Sequence, residues 1–456
     1  MKTECISYSS INNEAGKIFS PTFYLNKGKI RILKMVENCK KSNFLGDYAV
    51  AYKGNISKNT FINNGENSIP YLSAQIMVRF PCENFKYISK KYTKQIDVLT
   101  LKEKQILLSC SGTIGKTRLV LNDILNQVGS SDIIRLEGRN SEDNYGFVYS
   151  YLSSPTIYSY IQSLAYGSVV KHIEPSKIEK IPVPAINDGI KTFINKKIKD
   201  SQENRNLALQ NFKYAISLFE SYMPSINYDK IYQLKISKSD DYRKRFDATM
   251  QIPQINKFYS EFNNKYVLET IESLSQNVFT PNIFKRNRVQ NEENGIPYLG
   301  GADLLELNPK FDDFLSKKMR NLQDYIIKEN WIAIQDSGSI TSIGYVSFIP
   351  NYLDGIAATN NLVRIIAKDE ENFNPYIFAF LRTKQGQKIL KNLSYGTGQL
   401  HIDTNQIKNL KIPIIPEIKD EVSNRIKQYL KFQDTGYKLE KEAIEIVEKE
   451  IQSWQN

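Results

Sequence analysis

The sequence predicts an α+β protein made of two copies of one module, and the main observation behind this prediction is an internal repeat. The two histidines, His172 and His401, lie in similar stretches, residues 166–174 (YGSVVKHIE) and 395–403 (YGTGQLHID), 229 residues apart (401 − 172 = 229). Five further pairs keep this register: Arg135 with Arg364, Tyr149 with Phe378, Leu152 with Leu381, Ile178 with Ile407, and Pro184 with Pro413. Upstream, residues 64–72 (NGENSIPYL) match 291–299 (NEENGIPYL) at a spacing of 227 (291 − 64 = 227). A period this long indicates two whole domains rather than a solenoid with repeats of about 20 to 50 residues.

Each module alternates strand-like runs with turns and then changes to helix. Apolar runs at 105–109 and 331–334 precede the turn signals Ser111-Gly112 and Ser337-Gly338, which predicts two matched hairpin-like corners. Strand-like runs follow at 133–136 and 362–365, and then come helical segments around 149–152 and 378–381. The mixture of short strands and helices is the reason for the α+β assignment.

A long amphipathic helix is predicted after each module. Apolar residues recur at spacings of three and four after Pro184 and after Pro413. We expect two helices of about 35 residues, each on the order of 50 Å long. Their apolar stripes would pair with each other, or each stripe would cover its own module. The stripe residues are Ile190, Ile194, Ile198, Leu209, Phe212, Ile216, Phe219, Ile418, Val422, Ile426, Val447 and Ile451.

Composition is that of a globular chain with a basic surface. No segment approaches the ~18 to 20 consecutive apolar residues of a membrane span, and the first residues lack an apolar signal core, so we expect a cytoplasmic protein. The four cysteines have neither paired nor zinc-like spacing, and we expect reduced thiols and no metal site. The net charge of +12 favours a polyanionic partner, with nucleic acid the leading candidate, although a lysine-rich surface can also serve solubility alone.

Three motifs suggest enzyme chemistry, but each departs from the pattern that this chemistry needs. Residues 111–117 (SGTIGKT) resemble a phosphate-binding loop, yet the spacing requires a glycine where Cys110 stands. Residues 374–376 (NPY) lack the second proline of a methyltransferase loop, and Glu417-Ile418-Lys419 lies in a helical pattern instead of a nuclease strand. No catalytic residue is therefore predicted.

The histidines have three interpretations: catalytic bases, DNA ligands, or structural residues at the turn before the next helix. No nucleophile recurs at a fixed place beside both of them, and Glu174 and Asp403 follow them near a predicted helix start, so a structural role is favoured.

Basic and aromatic residues in loops, together with the hydroxyl groups of the glycine turns, are the candidates for DNA contact. Arginine forks can read guanine edges, and lysines and hydroxyls can hold phosphates, although a solvated surface is the alternative for any one residue. The candidates are Lys86, Lys90, Lys91, Tyr92, Ser111, Thr113, Lys116, Lys171, His172, Lys285, Arg286, Arg288, Ser337, Ser339, Thr397, Gln399 and His401.

In these features the chain resembles the specificity subunit of type I restriction-modification enzymes. The resemblance rests on residues 245–253 (RFDATMQIP), on IPYL in both halves, on residues 107–116 (LLSCSGTIGK), and on the Tyr-Gly-Ser/Thr tract ahead of a proline and a long helix. It implies two target recognition domains, at 1–185 and 226–415. It also implies two spacer helices, at 186–225 and 416–456, that pack as an antiparallel coiled coil in a pseudo-twofold molecule.

The resemblance also implies the function and the partners. Each domain would read one half of an asymmetric, bipartite site in double-stranded DNA, and adenine methylation or restriction would be performed by methyltransferase subunits, two by family precedent, and by restriction-translocase subunits. S-adenosylmethionine, ATP and Mg²⁺ would be bound by those partners. Two alternatives remain: the specificity half of a split restriction enzyme with its own cleavage residues, and a paired-module scaffold that binds proteins and no DNA.

Overall fold

The computed structural model describes residues 21–39, 42–55, 59–83, 85–139, 144–165, 171–224 and 253–454. Residues 166–170 of the first Tyr-Gly tract and residues 245–252 of the second module's opening lie outside the described residues. The chain divides into two compact units: unit 1 contains residues 1–206 and 435–456, and unit 2 contains residues 207–434.

The described residues of unit 1 form ten strands and the helices of the first module. The strands are β1 (Ser42–Phe44), β2 (Ala49–Tyr52), β3 (Phe61–Ile62), β4 (Ser68–Leu72), β5 (Lys86–Ser89), β6 (Ile106–Ser109), β7 (Thr117–Leu119), β8 (Val128–Gly129), β9 (Ile133–Gly138) and β10 (Pro182–Pro184). The helices are α1 (Pro21–Tyr24), α2 (Lys27–Asn38), α3 (Ile96–Leu99), α4 (Tyr145–Ser153), α5 (Pro155–Leu164), α6 (Pro175–Glu179) and the first part of α7 (Asp188–Ser221).

Unit 2 contains the second module. Its strands are β11 (Val267–Thr270), β12 (Ser275–Phe279), β13 (Arg288–Val289), β14 (Gly295–Leu299), β15 (Phe314–Ser316), β16 (Ile332–Gln335), β17 (Ser337–Gly338), β18 (Val346–Phe348), β19 (Ala357–Ala358), β20 (Leu362–Ala367), β21 (Leu400–His401) and β22 (Lys411–Ile414). Its helices are α8 (Pro253–Asn263), α9 (Ile271–Leu274), α10 (Phe373–Arg382), α11 (Lys384–Asn392), α12 (Thr404–Lys408) and the first part of α13 (Pro416–Ser453).

The two modules have the same sheet topology, which confirms the predicted duplication and the α+β class. Each unit has a four-stranded antiparallel core sheet, of order β2-β9-β6-β7 in unit 1 and β12-β20-β16-β18 in unit 2. Each also has a small sheet, of order β3-β5-β4-β8 and β13-β15-β14-β19, in which the last pair is parallel. The register agrees as well, because Arg135 stands opposite Leu107 and Arg364 stands opposite Ala333.

A buried arginine links the two sheets within each unit. The Arg135 guanidinium on β9 donates to the carbonyl of Gly129 on β8 at 2.7 Å and to the carbonyl of Leu99 at 3.0 Å. Arg364 on β20 donates to the carbonyls of Ala358 and Thr359, both at 3.3 Å. Desolvation is the main reason that the pKa of Arg364 is lowered to about 10. The cation is kept inside the fold by backbone acceptors, as a buried charge must be.

The long helices pack antiparallel within each unit, which confirms the predicted pairing of the stripes. In unit 1, Lys197 Nζ lies 2.6 Å from Glu442 Oε2, and Ser201 Oγ donates to the Gly436 carbonyl at 2.7 Å. In unit 2, the Phe212 ring lies 5.3 Å from the Tyr429 ring. Buried stripe residues in unit 1 also join the module's own core cluster, so the stripe serves both purposes. Ile190 and Ile216 are half-buried, and the other predicted stripe residues are buried.

Candidate nucleic-acid interface

The small sheet of unit 1 carries four of the predicted DNA-contact residues. Lys86 begins β5, and Lys90, Lys91 and Tyr92 follow the end of that strand; all four are exposed. The Lys90 backbone N–H donates to the Asn67 carbonyl at 2.8 Å, and its Nζ donates to the Glu66 carbonyl at 3.2 Å. Because these bonds tie Lys90 to the turn before β4, the lysine pair projects from a fixed corner of the sheet.

The small sheet of unit 2 carries the other basic cluster. Lys285, Arg286 and Arg288 lie in the loop that leads into β13 and at its first residue, and all three are exposed. The guanidinium of Arg286 lies 5.9 Å from the centroid of the Phe284 ring and 5.7 Å from that of Tyr298. The cluster therefore stands on an aromatic platform, and it lies at the start of the strand that corresponds to β3 of unit 1, not to β5.

The strand registers of the two small sheets identify a second lysine pair that was not predicted from the sequence. Ile69 pairs with Ile88 and Ile296 pairs with Leu315, so positions in the two small sheets differ by 227 (315 − 88 = 227). At this offset Lys90 and Lys91 correspond to Lys317 and Lys318, which are also exposed.

The bonds of Lys317 repeat those of Lys90. Its backbone N–H donates to Asn294 at 2.9 Å, and its Nζ donates to the Glu292 carbonyl at 2.9 Å. The spacing of the two IPYL strands, already visible in the sequence, could have identified this pair.

A cross-strand pair beside the lysines differs between the units. In unit 1, Lys86 Nζ on β5 lies 5.5 Å from the centroid of the Phe61 ring on β3. The same positions in unit 2 are Asp313 and Arg288, whose Oδ2 and Nη2 atoms are 3.0 Å apart. The two sheets thus share a scaffold and a lysine pair, and they present different chemistry at one exposed position.

The glycine turns and the histidines form a second group in each unit. A β-bridge joins Ser111 to His172 in unit 1, and β17 pairs Ser337 with His401 in unit 2. Thr113, Lys171, Ser339, Thr397 and Gln399 are exposed in this group, and Lys116 is half-buried. Gly112 and Gly115 have φ values of 70° and 85°, which explains the glycines of the turn.

The environment of His401 does not form a nucleophilic site. The buried Ser337 hydroxyl donates to Asp336 Oδ1 at 2.8 Å and lies 3.0 Å from His401 Nδ1. The serine hydroxyl thus donates to the carboxylate, which differs from the serine-to-histidine hydrogen bond of a nucleophilic site. The counterpart of Asp336 is Cys110, and burial raises the pKa of that thiol to about 11. The two units therefore share a serine and a histidine here, but not the acidic residue beside them.

The segments that suggested enzyme motifs hold the fold together. Asn374 is buried: its Oδ1 accepts from the Ala367 N–H and its Nδ2 donates to the Asn330 carbonyl. Tyr376 donates to the Pro413 carbonyl at 2.9 Å. Residues 417–419 lie in the first turn of α13.

Within the described ranges, no three His, Cys, Asp or Glu side chains come together in a way that could hold a metal ion. None of the helices within those ranges is long and apolar enough to span a membrane. Cys39, Cys82 and Cys110 are buried and in the reduced form, and Cys5 lies outside the described residues.

Comparison with known proteins gives a consistent result. The family model described as "Type I restriction modification DNA specificity domain" matches residues 40–185 and again residues 264–449. A search of curated proteins found no match.

Solved structures include two similar chains. The S subunit of a type I restriction-modification system from M. genitalium is 13% identical, with 91% of this chain and 94% of that chain covered and a TM-score of 0.31. The HsdS subunit from Thermoanaerobacter tengcongensis is 12% identical, with 91% and 96% covered and a TM-score of 0.28. The two family matches cover one module each and together more than half of the chain, so this protein belongs to the type I restriction-modification DNA specificity family and is a DNA specificity subunit.

Proposed function

We propose that this chain reads an asymmetric, bipartite site in double-stranded DNA, with one half-site for each unit, and directs adenine methylation or restriction by partner subunits. The observation that carries this proposal is the repeated small sheet, with the same lysine pair in both units and different side chains beside it. A common scaffold supports contact with the same kind of duplex segment in both units. The differing side chains support two half-sites of different sequence.

The lysine pairs have the chemistry of phosphate contacts. Lys91 and Lys318 are exposed, and each follows a lysine whose backbone and Nζ are tied to a turn. Contacts to phosphates hold a protein in position on DNA without reading sequence, and they release counterions. Residues that recur in both units therefore suit this role, whereas sequence reading requires the residues that differ.

The long helices suit the role of a spacer between half-sites. Helix α7 has 34 residues, which at 1.5 Å per residue gives a length of about 51 Å. One turn of duplex spans about 34 to 36 Å. A helix of this length would let two readers address separated segments, with an unread gap between them.

Catalysis is assigned to partner subunits. We propose two methyltransferase subunits that bind S-adenosylmethionine, and restriction-translocase subunits that use ATP and Mg²⁺. The specificity chain would contribute no acid, base or metal ligand to the chemistry.

Methylation mapping tests the proposal. The chain would be co-expressed with its methyltransferase subunit in a host free of adenine methylation, and methylated adenines would be mapped across the genome. We expect one bipartite motif with two different halves and a gap of fixed length. Methylation at a single uninterrupted motif, or at two identical half-sites, would contradict the proposal.

Two controls separate the alternatives. The isolated chain would be incubated with plasmid and Mg²⁺, where cleavage would favour the split-nuclease alternative. Binding to duplex DNA would also be measured over a range of salt concentrations. No measurable affinity for duplex DNA even at low salt, where phosphate contacts bind most strongly, would favour the scaffold alternative.

A further inference from the structure

One cross-strand pair of side chains occupies equivalent positions in the two small sheets. Phe61 stands opposite Ile88 in unit 1, and Arg288 stands opposite Leu315 in unit 2, at the same 227-residue offset (288 − 61 = 227). Their partners, Lys86 and Asp313, keep that offset (313 − 86 = 227). The comparison therefore holds backbone position constant and changes only the side chains.

In unit 2, the Asp313 carboxylate orients the guanidinium of Arg288. The ion pair is 3.0 Å long, and the side chains are 58% and 33% exposed. A pair this exposed adds little to stability, so a contribution to folding does not account for it. It does restrict the arginine side chain, and most of the five N–H donors of the guanidinium remain for a ligand.

The loop before Arg288 is fixed by its own contacts. The Phe284 ring lies 3.7 Å from the Tyr325 ring, and the Tyr325 hydroxyl donates to the Asn282 carbonyl at 3.0 Å. The Ser316 N–H donates to the Asn287 carbonyl at 2.8 Å. Because the loop is held in this way, the arginine that follows it loses little conformational freedom on binding.

The equivalent position in unit 1 is occupied by Phe61, which has no hydrogen-bond donors in its side chain. The Phe61 side chain is 51% exposed, and its ring packs edge-on against Tyr71 at 5.6 Å. An exposed, held aromatic ring offers an apolar contact, of the kind that proteins make with the methyl group of thymine. The Lys86 ammonium beside the ring adds charge and no planar fork.

We propose that this cross-strand pair is a base-reading element: Arg288, oriented by Asp313, reads a guanine in the half-site of unit 2, and Phe61 contacts a thymine methyl in the half-site of unit 1. The inference rests on the proposed function, since it assigns residues to the reading of the two half-sites. Arginine pairs with guanine O6 and N7 through two hydrogen bonds, and this contact discriminates against a wrong base by about 5- to 150-fold.

Methylation mapping of an arginine variant is the first test. For Arg288→Ala, co-expressed with the methyltransferase subunit, we expect one guanine of the second half-site to become degenerate while every other position of the motif is unchanged. Arg288→Lys keeps the charge and removes the fork, so it should relax the same position. Thermal unfolding of both variants would verify that they are folded.

A double variant tests the proposal through the gain of a new base requirement. The double variant Phe61→Arg with Lys86→Asp places the unit 2 pair in unit 1, and we expect a new guanine requirement in the first half-site. Phe61→Ala alone should relax one thymine position there. Lys213→Ala, at an exposed position on α7, is the matched control and should leave the motif unchanged.

The outcomes distinguish this inference from the proposed function. If the wild-type chain produces no bipartite methylation, the proposed function fails. If the wild type does so and Arg288→Ala keeps an identical motif, the base-reading role is wrong. A uniform loss of methylation by Arg288→Ala, without loss of any single base requirement, would also overturn it, because that is the behaviour of a phosphate contact.

Discussion

At the scale of single residues, the most informative feature is the buried arginine that recurs in both units. Arg364 is fully buried, and its guanidinium is surrounded by backbone carbonyls of β19, of Thr359 and of its own strand, where it donates to Leu362 at 2.9 Å. A charge in this position joins the core sheet to the small sheet, which carries the DNA-contact candidates. The arginine therefore supports the interface from inside the fold.

Replacement of this arginine tests its structural role. We expect Arg364→Met to lower the free energy of unfolding of unit 2 by about 2 to 4 kcal/mol, because buried carbonyls lose their donors. Unfolding in urea would be followed by tryptophan fluorescence in a Trp454→Phe background, where Trp331 reports unit 2. The exposed Arg320→Met is the control and should stay within about 0.5 kcal/mol of the parent. Equal effects of the two variants would contradict a linking role.

Asp336 is a buried carboxyl group of the second module, and the first module has Cys110 at the equivalent position. Burial is the main cause of its raised pKa; the Ser337 hydrogen bond and the nearby His401 and Arg364 act in the opposite direction. Since the folded state keeps the proton to a higher pH than the unfolded chain, the ionised carboxylate costs stability above its folded pKa. This cost disappears as the pH falls below the ordinary value of 3.8.

We therefore predict a pH-dependent effect of Asp336→Asn. The variant should be more stable than the wild type at pH 7, because it removes a charge that burial opposes while Oδ1 can still accept from Ser337. Its advantage should shrink as the pH falls towards 4, in urea unfolding measured at several pH values. Asp312→Asn, at an exposed position, is the control. An advantage that stays constant from pH 7 to pH 4 would contradict the prediction.

At the scale of elements, the two modules pack on the long helices with different chemistry. In unit 1 the Tyr149 hydroxyl donates to Glu440, whose Oε2 lies 3.5 Å from Arg205 Nη2, and all three side chains are buried. The counterpart of Tyr149 in unit 2 is Phe378, whose ring stacks on Tyr429. The buried polar cluster and the aromatic cluster do not match each other, so each module fits its own helix segment.

The polar cluster gives a sharp prediction on α13. We expect Glu440→Ala to destabilise unit 1 by about 3 to 5 kcal/mol, because it leaves a buried arginine without its carboxylate. Glu442→Ala, two residues further on, removes the partly exposed partner of Lys197 and should cost less than about 1 kcal/mol. Urea unfolding in a Trp331→Phe background, read from Trp454, would measure both. Similar losses for the two variants would argue against a buried cluster.

The sequence predicted these elements better than the contacts between them. Apolar period and the 229-residue register are properties of the chain itself, so they predicted the hairpin corners and the long helices, observed at Asp188–Ser221 and Pro416–Ser453. The Phe61 and Lys86 pair depends on the register of β3 against β5, which no local pattern specifies. From its sequence alone, Glu440 would be placed on the solvent-exposed face of the helix. It is buried only because of tertiary packing.

At the scale of the whole molecule, the exposed lysine pairs occur once in each unit, and their effects on DNA binding should add. Lys91→Ala and Lys318→Ala should each reduce the slope of log affinity against log salt concentration by about 0.9, and the double variant by about 1.8. Fluorescence anisotropy with a duplex carrying the methylated motif, and with the methyltransferase subunits present, would measure the slopes.

Lys213→Ala controls for the loss of charge itself and should leave the slope unchanged. A double variant with no larger change than one single variant would mean that only one unit binds DNA at a time.

The exposed side chains of Phe61 on β3 and Arg288 on β13 have an evolutionary consequence. Each of these strands is two residues long, and neither Phe61 nor Arg288 is part of a buried core. Exchanging such side chains changes folding stability by about 0.5 kcal/mol or less. Selection for a folded chain therefore does not resist mutation at these codons. With the proposed base-reading role, a lineage would acquire a new methylation pattern one base at a time while the scaffold stays as it is.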